Sequence, residues 1–279
     1  MTSRYVVGID GSDRSTRALE WAAGEAEARG ADVDAVLVWR FPFEEGPFVV
    51  SAGDQESTET LWKQTLDEVV DAVQPDHPNV TIRRLAIPGT HQGEALVQHA
   101  EGADLLVVGT RGRGGFIGLL IGSVAEHCLD HAACPTAFIP DDLPADVSKV
   151  VVGIDGSPGS QAALSWAAER SRTLGGEVSA VYVWNSLDQP KEAQFDTYFS
   201  TEDAHAYLVE NVEAAGLGAG DVHLEVVNDL PSRALIEAAG DAGLLVIGAR
   251  GKGKSRVLLT GSVARQVARH TPVPLIVHR

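Results

Sequence analysis

Short apolar runs alternate with longer amphipathic segments along the whole chain. In the first half the runs YVVGI, AVLVW, TIRRLAI, DLLVVG and TAFI are largely apolar and rich in β-branched residues. Runs of that kind behave as strands buried on both faces of a parallel sheet. The segments between them carry helical spacing. Ala18, Leu19, Ala22, Ala23 and Ala26 fall on one stripe of a helix from Ser12 to Arg29, with Gly30 as its C-terminal stop. Leu61, Leu66, Val69, Val70 and Val73 mark a second helix, which Pro75 ends. A third runs from Gly93 to Glu101 and a fourth from Gly122 to Ala133, before Pro135. This strict β-α alternation predicts right-handed crossovers and a doubly wound, five-stranded parallel sheet. Ligands in such sheets bind at the carboxyl ends of the strands where the strand order reverses, so site residues are expected after strands one, two and four.

The pattern is written twice. VVGIDGS at 6–12 recurs at 151–157, an offset of 145 that also carries Trp21 onto Trp166 and Val38-Trp39 onto Val183-Trp184. Later blocks match at an offset of 139: LLVVG (105–109) with LLVIG (244–248), and Gly-Ser-Val-Ala at 122–125 with the same residues at 261–264. The second copy has therefore lost a net six residues between about positions 40 and 80. Such internal repetition is the mark of a duplicated unit. PDDLPADVSK (140–149) reads as a linker between apolar strands. The expected organisation is a domain over 1–142, a linker over 143–148 and a second domain over 149–279, both α/β, Rossmann-like and doubly wound.

Composition narrows the function. Two ordinary domains account for 279 residues, and 44% hydrophobic with 22% charged residues excludes a disordered or fibrous chain. The net charge of −17 opposes nucleic acid and anionic membrane surfaces as partners. No apolar run approaches the roughly 20 residues that span a bilayer, and the first residues lack a signal-peptide core. Cys128 and Cys134 are the only cysteines, too few for a secreted disulfide framework, so a cytoplasmic protein is expected. The acid is unevenly placed, with 23 acidic and 10 basic residues in 1–145 against 16 and 12 in 146–279. Within this acidic chain, 109–125 holds Arg111 and Arg113 and no acid, and 248–265 holds Arg250, Lys252, Lys254, Arg256 and Arg265 and no acid.

Those basic islands coincide with the one motif that carries chemistry. The fourth strand runs into Gly109-Thr-Arg-Gly112 and, nine residues later, Gly122-Ser123. Its counterpart runs into Gly248-Ala-Arg-Gly251 and then Gly261-Ser262. Glycines admit φ > 0 turns and close approach of backbone N–H groups to phosphate. The Gly-Ser pair opens a helix whose N–H groups and dipole favour an anion. Gly248 to Ser255 also fits the P-loop pattern, with Lys254 on phosphate and Ser255 on Mg²⁺. The first copy has Gly115-Phe116 at the Lys-Ser positions, so the shared glycine spacing is the better account. A dinucleotide fingerprint is absent. His127, Cys128, His131 and Cys134 could suggest a metal or redox site, but His270 alone is kept in the second copy, so they read as ordinary helix and core residues. Trp39 and Trp184 read as core, with a lining role next to Val38 and Val183 as the alternative.

VVGIDGS, the Gly-x2-Gly-x9-Gly-Ser loop and the terminal strands CPTAFIP and VPLIVHR together resemble the universal stress proteins of the tandem-domain, ATP-binding type. The resemblance covers essentially the whole chain and is thinnest at 41–75 and 185–215. It implies an adenine nucleotide alpha hydrolase-like fold with one adenine-nucleotide pocket per domain, holding ATP accompanied by Mg²⁺. It assigns nucleoside contact to Asp10 and Asp155, and base contact to Val38 and Val183. The residue before the loop falls on Val108 and Ile247. The ribose and phosphate loop falls on Gly109, Gly112, Gly122, Ser123 and Val124, and on Gly248, Gly251, Gly261, Ser262 and Val263. Asp10 and Asp155 also suit a purely local role as helix-start or turn acids. The implied activity is nucleotide-dependent regulation in stress response rather than catalysis. A slow ATPase or phosphotransferase, or an interaction module with vestigial sites, are the alternatives. The last strand of each half leaves a sheet edge, which the family uses for dimer contacts, so a homodimer or an intrachain pseudo-dimer is expected.

Overall fold

A computed structural model describes residues 3–40, 52–112, 121–184, 200–218, 220–251 and 260–279, with the backbone alone for 52–56. The chain divides into two compact units, Met1–Asp141 and Asp142–Arg279. In the first, strands β1 (Arg4–Ile9), β2 (Asp32–Trp39), β3 (Ile82–Pro88), β4 (Leu105–Gly109) and β5 (Thr136–Ile139) alternate with helices α1 (Asp13–Arg29), α2 (Ala52–Val73), α3 (Gln92–His99) and α4 (Ser123–His131). In the second, β6 (Lys149–Ile154), β7 (Glu177–Trp184), β8 (His223–Asn228), β9 (Leu244–Gly248) and β10 (Leu275–His278) alternate with α5 (Pro158–Leu174), α6 (Thr201–Ala214), α7 (Pro231–Ala238) and α8 (Ser262–His270).

Within the first unit the strands are parallel in the order β3-β2-β1-β4-β5. The second unit repeats it as β8-β7-β6-β9-β10. The crossovers from β1 through β3 step one way across the sheet and those from β3 through β5 step the other. Right-handed connections then place α1 and α2 on one face and α3 and α4 on the opposite face, and the α1–α2 and α3–α4 contacts agree. The chain leaves β1 and β4, which are adjacent, in opposite directions, and this is the reversal point of the sheet.

Local chemistry accounts for the helix ends. Ser12 caps α1 by accepting from the Ser15 amide, and Gly30 closes it in the left-handed region at φ 65°. Ser157 repeats the cap on α5. Pro75 lies in a short 3-10 turn, Gln74–Asp76, that follows α2. The register locates the residues lost from the second copy. Pro88 pairs with Trp39 and Asn228 with Trp184, so the offset at the third strand is already 140. Five of the six missing residues precede that strand, and the sixth is missing from the turn before α7.

The core is the two-faced sheet. Val6, Val7, Val33, Ala35, Leu105, Leu106, Val107 and Phe138 are buried, as are Val150, Val152, Val181, Leu244, Leu245 and Ile276. At the amino end of the first sheet lies a charged cluster. Asp34, 4% exposed, accepts from Arg4 at 3.1 Å and Arg83 at 2.6 Å, with His99 Nε2 at 3.4 Å. Burial alone would raise the Asp34 pKa. The bonds from Arg83 and Arg4 override it and hold the carboxyl below its ordinary range.

Asp34→Ala should destabilise the protein by about 2 kcal/mol, less than the roughly 3–5 kcal/mol of a fully buried pair, because both arginines keep access to water. A carboxyl with a depressed native pKa contributes fully above its unfolded value and loses that contribution as pH falls toward the native one. Urea denaturation should therefore show a constant gap between parent and variant from pH 8 to about 5, closing only in acid below about pH 4.

Candidate functional site

The first strand ends on Gly8-Ile9 and delivers Asp10 to the carboxyl edge of the sheet at the reversal point. Asp10 Oδ1 accepts from the Ser12 amide at 3.0 Å and the Ser12 hydroxyl at 2.5 Å. Gly11, at φ 75°, makes the turn between them. The other carboxylate oxygen faces the loop that leaves β4: a Cβ on Gly112 would lie 2.6 Å from Asp10 Oδ2. A side chain there would have to push the carboxylate aside. The second unit repeats the arrangement. Asp155 Oδ1 accepts from the Ser157 amide at 3.0 Å and its hydroxyl at 2.6 Å, Gly156 turns at φ 73°, and Asp155 Oδ2 lies against Gly251 closer still. Both acids thus serve the local turn and the loop contact together.

The expectation that the loop glycines provide φ > 0 turns is not met among the described residues: Gly109, Gly112, Gly122, Gly248, Gly251 and Gly261 are not among the positive-φ glycines. Space at Gly112 and Gly251, not backbone freedom, is what these positions require.

A cavity of about 530 Å³ opens at this edge in the first unit. All eight residues singled out in the first half line it: Asp10, Val38, Val108, Gly109, Gly112, Gly122, Ser123 and Val124. On the β2 side it is apolar, walled by Val36, Leu37, Leu96 and Trp62. On the β4 side it reaches Ile121 and the N-terminus of α4. Gly122 holds the N-cap position with no side-chain cap, and its amide is tied back to the Thr110 carbonyl at 2.7 Å. The amides of the first helical turn therefore face the cavity with the helix dipole behind them, a geometry suited to an anion. Arg111 lines the same end. Asp141, just past β5, binds Arg14 through both oxygens at 2.5 and 3.1 Å and lies 3.9 Å from Arg111.

In the second unit, Val183 lies on β7, Ile247 and Gly248 end β9, and Gly261 caps α8 with Ser262 and Val263 in its first turn. The Gly261 amide binds the Ala249 carbonyl at 2.8 Å, and the Ser157 hydroxyl oxygen lies 3.1 Å from the Arg250 carbonyl. Asp155, Arg250, Gly251 and Gly261 are thus brought together as in the first copy. A feature absent from the sequence reading is Tyr207 on α6, whose hydroxyl donates to the Asp155 carbonyl at 3.0 Å.

Trp62, Gln92 and Leu96 also line the first cavity without having been anticipated. Trp39, 4% exposed, is core rather than wall, and its indole N–H has no partner among the described residues. Arg113, Lys252, Lys254, Ser255 and Arg256 lie outside the described residues, and with them most of the P-loop alternative. The described helix after β9 begins at Ser262, at the Gly-Ser pair of the shared spacing. His127 and His131 stack at 4.2 Å. Among the described residues no group of three or more His, Cys, Asp or Glu could hold a metal, and no helix is long and apolar enough to cross a membrane. Cys128 is fully buried, and desolvation with Cys134 nearby pushes its thiol up to about 12.

Comparison with known proteins places these observations. The family model of the universal stress protein family matches residues 1–140 and again 147–279. A universal stress protein of Mycolicibacterium smegmatis is 29% identical over 289 residues, covering 98% of this chain and 96% of its own. One from Mycobacterium tuberculosis H37Rv is 30% identical over 288 residues, covering 98% and 95%. The crystal structure of a universal stress protein from Archaeoglobus fulgidus shares the fold at a TM-score of 0.74, with 21% identity and coverage of 99% and 96%.

Gly112→Ala should lower stability by about 1–3 kcal/mol through the overlap with Asp10. In an Asp10→Ala background the same change should cost about 1 kcal/mol less, as a double-mutant cycle reads directly. An equal cost in both backgrounds would show that the glycine is not there to clear the carboxylate. Cys128, protonated at pH 8 and buried, should resist iodoacetamide in the folded protein and react once it is unfolded, as peptide mass mapping would register.

Proposed function

Because the chain belongs to the universal stress protein family, we propose that it is an ATP-binding regulator of stress response with one adenine-nucleotide pocket in each unit. The observation that carries the reading is the continuity of the first cavity, from an apolar slot to the uncapped start of α4 past Asp10 and Gly112. A volume of about 530 Å³ lies within the ~300–1,000 Å³ common for small-ligand sites. The base lies against Val38 and the apolar walls, and Asp10 meets the ribose. The phosphates lie at Gly112, Gly122, the Ser123 hydroxyl and the first amides of α4, with Arg111 adding charge. Asp155, Val183, Gly251, Gly261 and Ser262 hold the corresponding places in the second unit. Mg²⁺ accompanies the triphosphate as its counter-ion.

Binding rather than turnover is supported by the wall itself. Asp10 is the one carboxylate among the described residues lining the cavity, and one of its oxygens is already engaged by Ser12. Gln92 lines the same cavity and could orient a water, but among the described residues no histidine, lysine or second carboxylate that could serve as a γ-phosphate-directed base lines it. The proposal includes a cytoplasmic setting and self-association, which sedimentation would measure.

Purified protein should release adenine nucleotide on acid denaturation, and ATP with Mg²⁺ at 100 times its Kd should stabilise each unit by about 2.7 kcal/mol. Calorimetry should count two ATP per chain, falling to one with Gly122→Val and one with Gly261→Val. No released nucleotide and no rise in Tm with ATP would overturn the reading.

A further inference from the structure

The duplication supplies an internal comparison: four phosphate-end residues are kept, while Arg14, which holds Asp141 there in the first copy, becomes Gly159. At the phosphate end Arg111, Gly112, Gly122 and Ser123 recur as Arg250, Gly251, Gly261 and Ser262. At the apolar end the residues change. Ile9 pairs with Leu37 on β2, and Ile154 pairs with Tyr182 on β7, so Tyr182 stands where Leu37 lines the first cavity. Superposing the buried positions Leu66, Val69 and Val70 of α2 on Leu208, Asn211 and Val212 of α6 puts Tyr207 at Thr65 and Ala204 at Trp62.

The two tyrosines form one unit. Their ring centroids are 4.9 Å apart at an interplanar angle of 48°, and the Tyr207 hydroxyl is fixed on the Asp155 carbonyl at 3.0 Å. The Tyr182 hydroxyl lies in the same neighbourhood: burial raises its pKa, and Tyr207 and Asp155 add to that rise. Leu37 and Thr65 of the first copy are therefore replaced by two aromatic rings reaching to the acid at the strand end, while Trp62 gives way to Ala204. A tilted aromatic pair with a satisfied hydroxyl is a packed, hydrogen-bonded arrangement that a base would have to displace.

We infer that Tyr182 and Tyr207 fill the base end of the second pocket, so that this pocket selects for a phosphate chain and takes nucleoside polyphosphates or inorganic tripolyphosphate with little regard to the base. The first pocket, with Leu37 and Trp62 in its wall, selects for adenine. This rests on the nucleotide reading above and departs from it at Val183, whose base contact the two rings take away, leaving a division of specificity between the two sites.

The test uses the full-length chain with one pocket silenced at a time, Gly261→Val to read the first and Gly122→Val to read the second. ATP, GTP and inorganic tripolyphosphate are titrated calorimetrically into each. The first pocket should prefer ATP to both other ligands by about tenfold or more. The second should bind all three within about threefold of one another. Tyr182→Leu with Tyr207→Thr, which installs the first copy's residues, should raise the second pocket's preference for ATP over tripolyphosphate by about tenfold and leave tripolyphosphate affinity unchanged. A circular-dichroism melt confirms that the double variant folds. If ATP binds both pockets with the same preference over GTP and tripolyphosphate, or if the folded double variant keeps the parent's ratio, the tyrosine assignment is overturned while the nucleotide reading stands. If tripolyphosphate fails to bind a second pocket that binds ATP, the assignment is likewise overturned. If ATP binds neither pocket, both readings fall.

Discussion

The contact between an aspartate and a glycine at the reversal point of the sheet is the constraint on which each site depends. One carboxylate does two jobs through its two oxygens. Oδ1 of Asp10 ties the Ser12 amide and hydroxyl and so sets where α1 begins, while Oδ2 occupies the space a side chain at position 112 would need. The start of α1 and the loop leaving β4 are thereby fixed against each other, although about 100 residues separate them in sequence. The same pair of jobs falls to Asp155 with Ser157 and Gly251. Because the first positions of α4 and α8 follow from where those loops are held, the orientation of their amides depends on this contact too.

The duplication also separates what the fold requires from what each copy has made of it. The Asp34 cluster is not repeated: its positions in the second copy hold Lys149, Ser179, His223 and Ala238 in place of Arg4, Asp34, Arg83 and His99. The second sheet forms without it, so the ion cluster adds stability to one unit rather than specifying the topology, in keeping with the small net worth of most charged pairs. The strand-end acid, its turn and the glycine facing it appear in both. A feature retained at both sites despite large changes around it belongs to the architecture they share.

How much could be read in advance follows from the range of each interaction. The strands were legible because most are short, largely apolar runs, and the helices because Ser12, Gly30 and Pro75 punctuate them locally. The glycine spacing was legible because it occurs twice. The reason for Gly112 was not, since it lies in a carboxylate far away in sequence. Arg4, Asp34, Arg83 and His99 come together only once strand order is known. Trp62 and Tyr207 escaped for another reason: they occupy non-equivalent positions on α2 and α6, in the stretch where the copies differ in length, so comparing one half with the other hides both.

Net charge illustrates the same point about range. At physiological salt the screening length is about 8 Å, so most of the 39 acidic side chains exert little force on a ligand at the α4 N-terminus. The groups within a few ångströms decide. There the negative charge of Asp10 is turned toward Ser12 and the loop, and Asp141 is held by Arg14. Asp141 at 3.9 Å also draws on Arg111, which tempers the positive charge at that end of the first cavity. At about 4 Å such a pair is worth several-fold more near a protein surface than in bulk water. Among the described residues the first site therefore offers an anion chiefly oriented amides and one partly neutralised arginine, beside its apolar end. The surplus of acid that sets the protein's overall charge leaves this local balance almost untouched.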